Sequence, residues 1–179
     1  MRNLTSYFIL IALITFSSCN QNDNEIDDSS ISGFYKIESI NSKILVDLNG
    51  DLQKSFDLKN EINDYFNNYD YDLEIRPNFT NETDFKLISF YFPEPSLSFD
   101  YPGHPNGFVE YVKNSVGFQY QFNNNKFLII EPENDFIIID KIELVDNGKI
   151  KSTILKDYYD FDRQNWIKLE IEIIYNKMD

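Results

Sequence analysis

The chain predicts an all-β fold: an antiparallel meander that closes into a barrel or half-barrel with one short helix. A β-sandwich is the alternative. Three observations carry this. Ala12 is the only alanine, so the strongest helix former is missing from everything that follows it. Phe, Tyr and Ile are abundant instead, and these side chains fit a pleated, half-buried surface. Short apolar runs separated by turn residues then recur to the C-terminus, and the last is the clearest. Between Trp166 and Lys177, Ile167, Leu169, Ile171, Ile173 and Tyr175 face one way while Lys168, Glu170 and Glu172 face the other.

The elements follow in order. The domain opens at Ile31-Ser32-Gly33-Phe34-Tyr35-Lys36-Ile37, a glycine followed by an aromatic-bearing strand. A second strand is expected over Lys43 to Leu48. Phe56 to Asn67 is the one helix candidate, because Leu58, Ile62, Tyr65 and Phe66 share a face and Ser55 or Asp57 can cap its start. Tyr71, Leu73 and Ile75 alternate up to Pro77, which ends that strand. Asp84 to Phe92 is the next strand. Pro93 to Gly107 holds four prolines and reads as a long loop, a kind of segment that often carries function.

Val116 to Phe122 and Lys126 to Ile130 form a hairpin across Asn123-Asn124-Asn125. Asp135 to Val145 and Lys149 to Tyr159 form a second one, across Asp146-Asn147-Gly148, and Asn-Gly suits a type I′ turn. The total is about nine strands. A meander with one wet face must close on itself or pair with a second sheet.

The N-terminus carries a different signal. Arg2 gives a positive start, and Tyr7 to Phe16 is an apolar run too short to span a membrane. Ser17 and Ser18 precede Cys19, the only cysteine. Residues 1–18 read as a signal peptide and residues 19–30 as a lipidated tether. Asn20 to Ser30 is polar and acidic and cannot bury enough surface to fold. Residues 31–179 form one β domain. The formal net charge is −14, and Arg2 is the one charge lost with the signal. Such acidity excludes nucleic acid as a partner, since phosphate binding needs Lys and Arg. It also excludes electrostatic docking to anionic lipid, so a lipid must do the anchoring.

Phe16-Ser17-Ser18-Cys19 resembles the lipobox of bacterial lipoproteins, in which the cysteine thiol is alkylated by a diacylglyceryl group. Gly33 to Ile37, Val46 to Asp51 with Phe56 to Ile62, and the closing hairpin series together resemble the lipocalin-like lipoproteins of Bacteroidota. That resemblance implies a small antiparallel barrel on a lipid tether in the outer membrane, at its periplasmic or cell-surface face. It brings no activity with it.

Four groups of residues could carry chemistry. Asp47, Asn49 and Asp51 place oxygens at alternate positions, as calcium loops do, but Leu52 and Leu58 stand where such a loop needs Gly and Glu. The run suits a polar turn equally, and calcium is not expected to be needed for folding. No other cofactor is expected. His104 is the only histidine, too few for a zinc site, and no nucleophile motif accompanies it, so no enzyme is expected. Phe92, Phe99, Tyr101 and Phe108 with Pro93, Pro95 and Pro102 either bind a sugar or partner, or plug a barrel mouth. Tyr158 to Asp162 with Trp166 either grips a glycan or packs a turn. Asn78-Phe79-Thr80 and Asn81-Glu82-Thr83 fit the glycosylation sequon and read as turns.

Two functions follow. One is a lipid-anchored binding module for an apolar or amphipathic small ligand held inside the barrel, provided the interior is not filled. The other is a surface interaction protein that binds a glycan or a protein through its loops. Ligand candidates are Phe99, Tyr101, His104, Tyr158 and Trp166.

Overall fold

The structure is a computed structural model that describes residues 28–77, 86–104, 107–146 and 148–179. Cys19, the signal peptide, most of the tether, both sequons, Asp84, Phe85 and Asn147 lie outside the described residues. The elements are α1 (Asp28–Ile31), β1 (Gly33–Val46), β2 (Ser55–Asp57), α2 (Leu58–Glu61), α3 (Asn63–Asn68), β3 (Leu73–Arg76), β4 (Leu87–Ser98), β5 (Phe108–Asn123), β6 (Lys126–Ile130), β7 (Ile138–Asp146), β8 (Lys149–Asp160) and β9 (Asn165–Lys177).

The strands run as an antiparallel meander, β1-β3-β4-β5-β6-β7-β8-β9, and β1 also pairs with β9. That pairing closes an eight-stranded barrel, with the three-residue β2 appended to β1. The thinnest seam is β6 to β7, where Lys126 pairs with Glu143. The Asn124-Asn125 turn makes the β5–β6 hairpin tight, with both residues at positive φ (49° and 61°) as a type I′ turn requires. Ile171, Ile173 and Tyr175 of β9 lie inward beside Ile150, Ser152 and Ile154 of β8, as period-2 alternation demands.

The structure corrects three expectations. The first two strands are one. β1 runs unbroken for 14 residues because Glu38 is absorbed as a bulge: Ile37 faces Tyr175, and Ser39 faces Ile174. The expected helix is shorter and broken. Phe56 belongs to β2, Asp57 caps α2 by accepting from the Lys59 N–H at 2.9 Å, and Ile62 (φ −131°, ψ 43°) separates α2 from α3.

The third correction concerns the proline-rich loop. β4 continues through Pro93 and Pro95 to Ser98, and β5 begins at Phe108, so the connection is only residues 99–107. Proline is tolerated because of which edge it faces. The Tyr91 N–H points away from β5, donating to the Asp72 carbonyl at 2.9 Å. Pro93 and Pro95 share that parity, and the pairing of β3 with β4 reaches only to Leu73 opposite Phe90, so no ladder bond is lost.

The barrel has two ends. At the base the chain enters at Gly33, opposite Ile75, with the Lys177 N–H donating to the Gly148 carbonyl nearby. The mouth, the length of β1 away, carries the β1–β2, β4–β5 and β8–β9 connections. Two buried carboxylates tie it together. Asp47 donates its N–H to Asp160 Oδ1 (3.3 Å), and the Asp47 carbonyl accepts from the Phe161 N–H (2.8 Å). Arg163 pairs with Asp160.

The interior is packed. Ile37, Ile40, Phe90, Phe92, Ile154, Tyr158, Ile171, Ile173 and Tyr175 surround a cavity of only about 10 Å³, which leaves no space for anything beyond about one water. Among the described residues, no helix is long and apolar enough to cross a membrane.

Candidate functional site

The mouth holds a cleft of about 560 Å³, within the range of ligand sites. One wall comes from α2, α3 and the residue after them: Asn60, Glu61, Ile62, Asn63, Asp64, Tyr65, Asn68 and Tyr69. The facing wall is the start of β5, Gly107 to Tyr111. Asn49, Gly50 and His104 close the ends. Among the described residues, no lysine or arginine lines it. The lining pairs amides and carboxylates with aromatic rings, which suits a neutral or cationic polar ligand.

Glu61 is the perturbed carboxylate of the cleft wall. It is 5% exposed, and its Oε2 accepts from the Leu48 N–H at 2.9 Å. Burial pushes its carboxyl up to about 7, and the nearby Asp47 and Asp51 add to the effect. The backbone N–H groups of Leu48 and Ser55 oppose the shift. Glu61 thus holds both ends of the 49–54 turn. Tyr111 donates its hydroxyl to the Leu48 carbonyl (2.8 Å), fastening β5 to the same turn.

Asp47, Asn49 and Asp51 form a polar turn. Asp47 accepts from the Gly50 N–H (2.7 Å) and the Leu52 N–H (3.0 Å). Asn49 Oδ1 accepts from the Asp51 N–H (2.9 Å), and Asp51 Oδ1 from the Gln53 N–H (2.7 Å). Their oxygens serve the backbone. No group of three or more His, Cys, Asp or Glu among the described residues could hold a metal ion. Gly50 sits at φ 78°, and a Cβ there would press on the Phe161 ring at 3.3 Å.

The loop aromatics divide. Phe92 is buried in the barrel. Tyr101 stacks on Phe108 at 4.5 Å, and His104 stands edge-on to both rings (5.5 and 5.2 Å). Phe99 is 58% exposed and meets Tyr159 edge-on at 5.6 Å, and Tyr159 meets Trp166 at 5.9 Å. These rings form a rim beside the cleft. Tyr158 is corrected: it points into the barrel, buried, with its hydroxyl donating to the Pro93 carbonyl at 3.0 Å. Its parity decides this, since neighbours along a strand face opposite sides. Tyr159, itself buried, packs beneath the rim against Phe99 and Trp166, opposite Trp166 in the ladder.

Sequence reasoning did not single out Asn60, Asn63, Asp64, Tyr69, Glu110 or Tyr111. Glu61 entered only as part of the stretch Phe56 to Ile62. Its signal was present, however, because at three after Leu58 and four before Tyr65 it is a carboxylate on the apolar stripe of the helix.

Compared with protein-family models, curated proteins and solved structures, the chain matches none of them.

Proposed function

We propose that this protein is a lipid-anchored module of the outer membrane that binds its partner at the barrel mouth, without catalysis. The contrast between the filled interior and the 560 Å³ cleft carries this reading and favours the surface interaction function over an interior ligand. The position of the cleft supports it. A tether lipidated at Cys19 would join the domain at the Gly33 end, and the cleft opens at the opposite end, facing away from the anchoring membrane. The barrel then serves as a rigid pedestal, with the site built on loops and short helices. The reading places the chain with lipocalin-like lipoproteins in anchoring and in barrel form, not in interior ligand storage.

The test is a chemical-shift survey of the full-length, isotope-labelled protein against neutral oligosaccharides, amines and short peptides. Binding should move the resonances of Asn60 to Asn68 and Gly107 to Tyr111, and leave Phe90, Ile154 and Ile171 unmoved. Shifts centred on those core residues would restore the interior ligand.

A further inference from the structure

We propose that the cleft takes an extended, Lys- or Arg-bearing segment of a partner protein, added as a strand to the outer edge of β5. The proposal rests on the mouth as the binding site and names the class of partner.

The edge is open by register. β5 pairs with β4 along its whole length up to Gln119, but with β6 only over Gln119 to Asn123. Residues 108–118 therefore have no strand on their other side among the described residues. The direction of the backbone groups is fixed. The Tyr120 N–H faces β4, donating to the Lys86 carbonyl, so even-numbered residues of β5 bond inward to β4. Odd-numbered residues bond outward. The Lys113 N–H does so, reaching the Tyr69 hydroxyl at 3.3 Å beside the cleft.

Val109 and Tyr111 share the parity of Lys113 and line the cleft, so they turn their N–H and carbonyl groups toward it. Together they offer an incoming strand two donors and two acceptors. α2 and α3 stand across the gap as the second wall. A strand edge facing a helix across a groove is the arrangement that holds an extended peptide. Nearby edges are treated differently. Pro93 and Pro95 blunt the outer edge of β4, whereas no proline stands in 108–112 to blunt β5.

Charge selects the occupant. The exposed Asp64 and Glu110 line the groove, and among the described residues its lining holds no Lys or Arg, in a chain of net charge −14. The acidic segment Asn20 to Ser30 is repelled from it, and so is a second copy of the chain. A cationic segment of another protein is attracted. The half-exposed Tyr69 ring in the lining gives the stems of Lys and Arg an apolar surface to lie on.

The experiment selects random heptapeptides on the full-length protein. Enriched sequences should carry Lys or Arg and shift the backbone amides of Val109 and Tyr111. N-methylating alternate residues of the best peptide should weaken it about tenfold or more, because ladder bonds are lost with the charge unchanged. Val109→Pro should lose the peptides, and Glu110→Lys should lose the cationic ones without touching the backbone. Val109→Pro is judged only if its unfolding midpoint matches wild type, and otherwise Glu110→Lys and N-methylation decide. No enrichment above a net-neutral control pool, or full affinity after N-methylation, would overturn strand addition. If sugars or amines still shift the cleft, the mouth remains the site and only the partner class is wrong. If no compound shifts the cleft, both readings fall.

Discussion

The barrel interior and the barrel mouth are built from opposite materials. Inside, Ile, Phe and Tyr side chains pack around a cavity of only about 10 Å³. Each is placed by a two-residue period, so the interior has no freedom to be anything but a core. At the mouth, amides, carboxylates and half-exposed rings border an open cleft, and each is placed by a turn, a cap or a short helix. One charged group that enters the interior has its partner. Lys156, 3% exposed, pairs with Glu94 at 2.5 Å and lies over the Phe92 ring at 4.4 Å. Burial lowers the pKa of its ammonium, and the Glu94 carboxylate opposes that. The interior maintains the shape, and the mouth presents chemistry on it.

The largest effect should come from the interior. Ile171 is fully buried on β9, between the charged and exposed Glu170 and the half-exposed Glu172. Ile171→Ala should cost roughly 2–5 kcal/mol by transfer and cavity terms together. Glu170→Ala, on the wet face, should stay within about 0.5 kcal/mol. Denaturant unfolding of both variants measures the difference. Equal losses would mean that burial on β9 is not one-sided and that the contrast between interior and surface fails there.

An intermediate effect should come from the wall of the cleft. The Glu61 carboxyl titrates at about 7 when folded and near its ordinary 4.5 when unfolded, so the folded state holds the proton more tightly. The stability this contributes is complete below about 4.5 and is lost as pH rises through about 7. Between pH 6 and pH 8 the loss should be on the order of 1 kcal/mol, or roughly 2–4 °C in midpoint for a chain of this size. Glu61→Gln removes the titration and should flatten the profile in that window. A profile as steep in the variant as in wild type would show that Glu61 is not the titrating group and that the mouth is not coupled to folding through it.

Legibility divides along the same line. β9 was readable because Ile167 to Tyr175 keep one parity without a break, and the β5–β6 turn because three asparagines in a row demand positive φ. β1 was not readable as one strand, because the Glu38 bulge resets the parity that periodicity relies on. The outer half of the β4–β5 ribbon was hidden for a different reason. Pro93 and Pro95 signal a loop unless the edge they face is known, and that edge is set by where β3 begins. The cleft depends on the same ribbon, so Glu110 and Tyr111 could not be joined to Asn60 and Asp64 from sequence. Phe99, Tyr101, His104 and Trp166 were found because large aromatic rings stand out in a loop or at a turn. Tyr158 was misplaced among them by one residue of strand parity.

The smallest effect should come from the aromatic rim. Phe99 and Tyr101 are 58% and 49% exposed, and their ring partners lie at the mouth: Tyr159 for Phe99, Phe108 and His104 for Tyr101. Phe99 also covers Gly107, where a Cβ would meet its ring at 3.1 Å, so the loop is folded on itself rather than into the barrel. Removing both rings gives up area that is only half buried, and water can enter the space they leave without opening the core. Phe99→Ala with Tyr101→Ala should therefore cost less than about 1 kcal/mol, while binding at the cleft weakens because its rim is gone. Unfolding midpoint and ligand-induced shifts, measured on the same sample, separate the two. A loss matching that of Ile171→Ala would make the rim a plug continuous with the core, and the line between interior and mouth would have to be drawn outside residues 99–107.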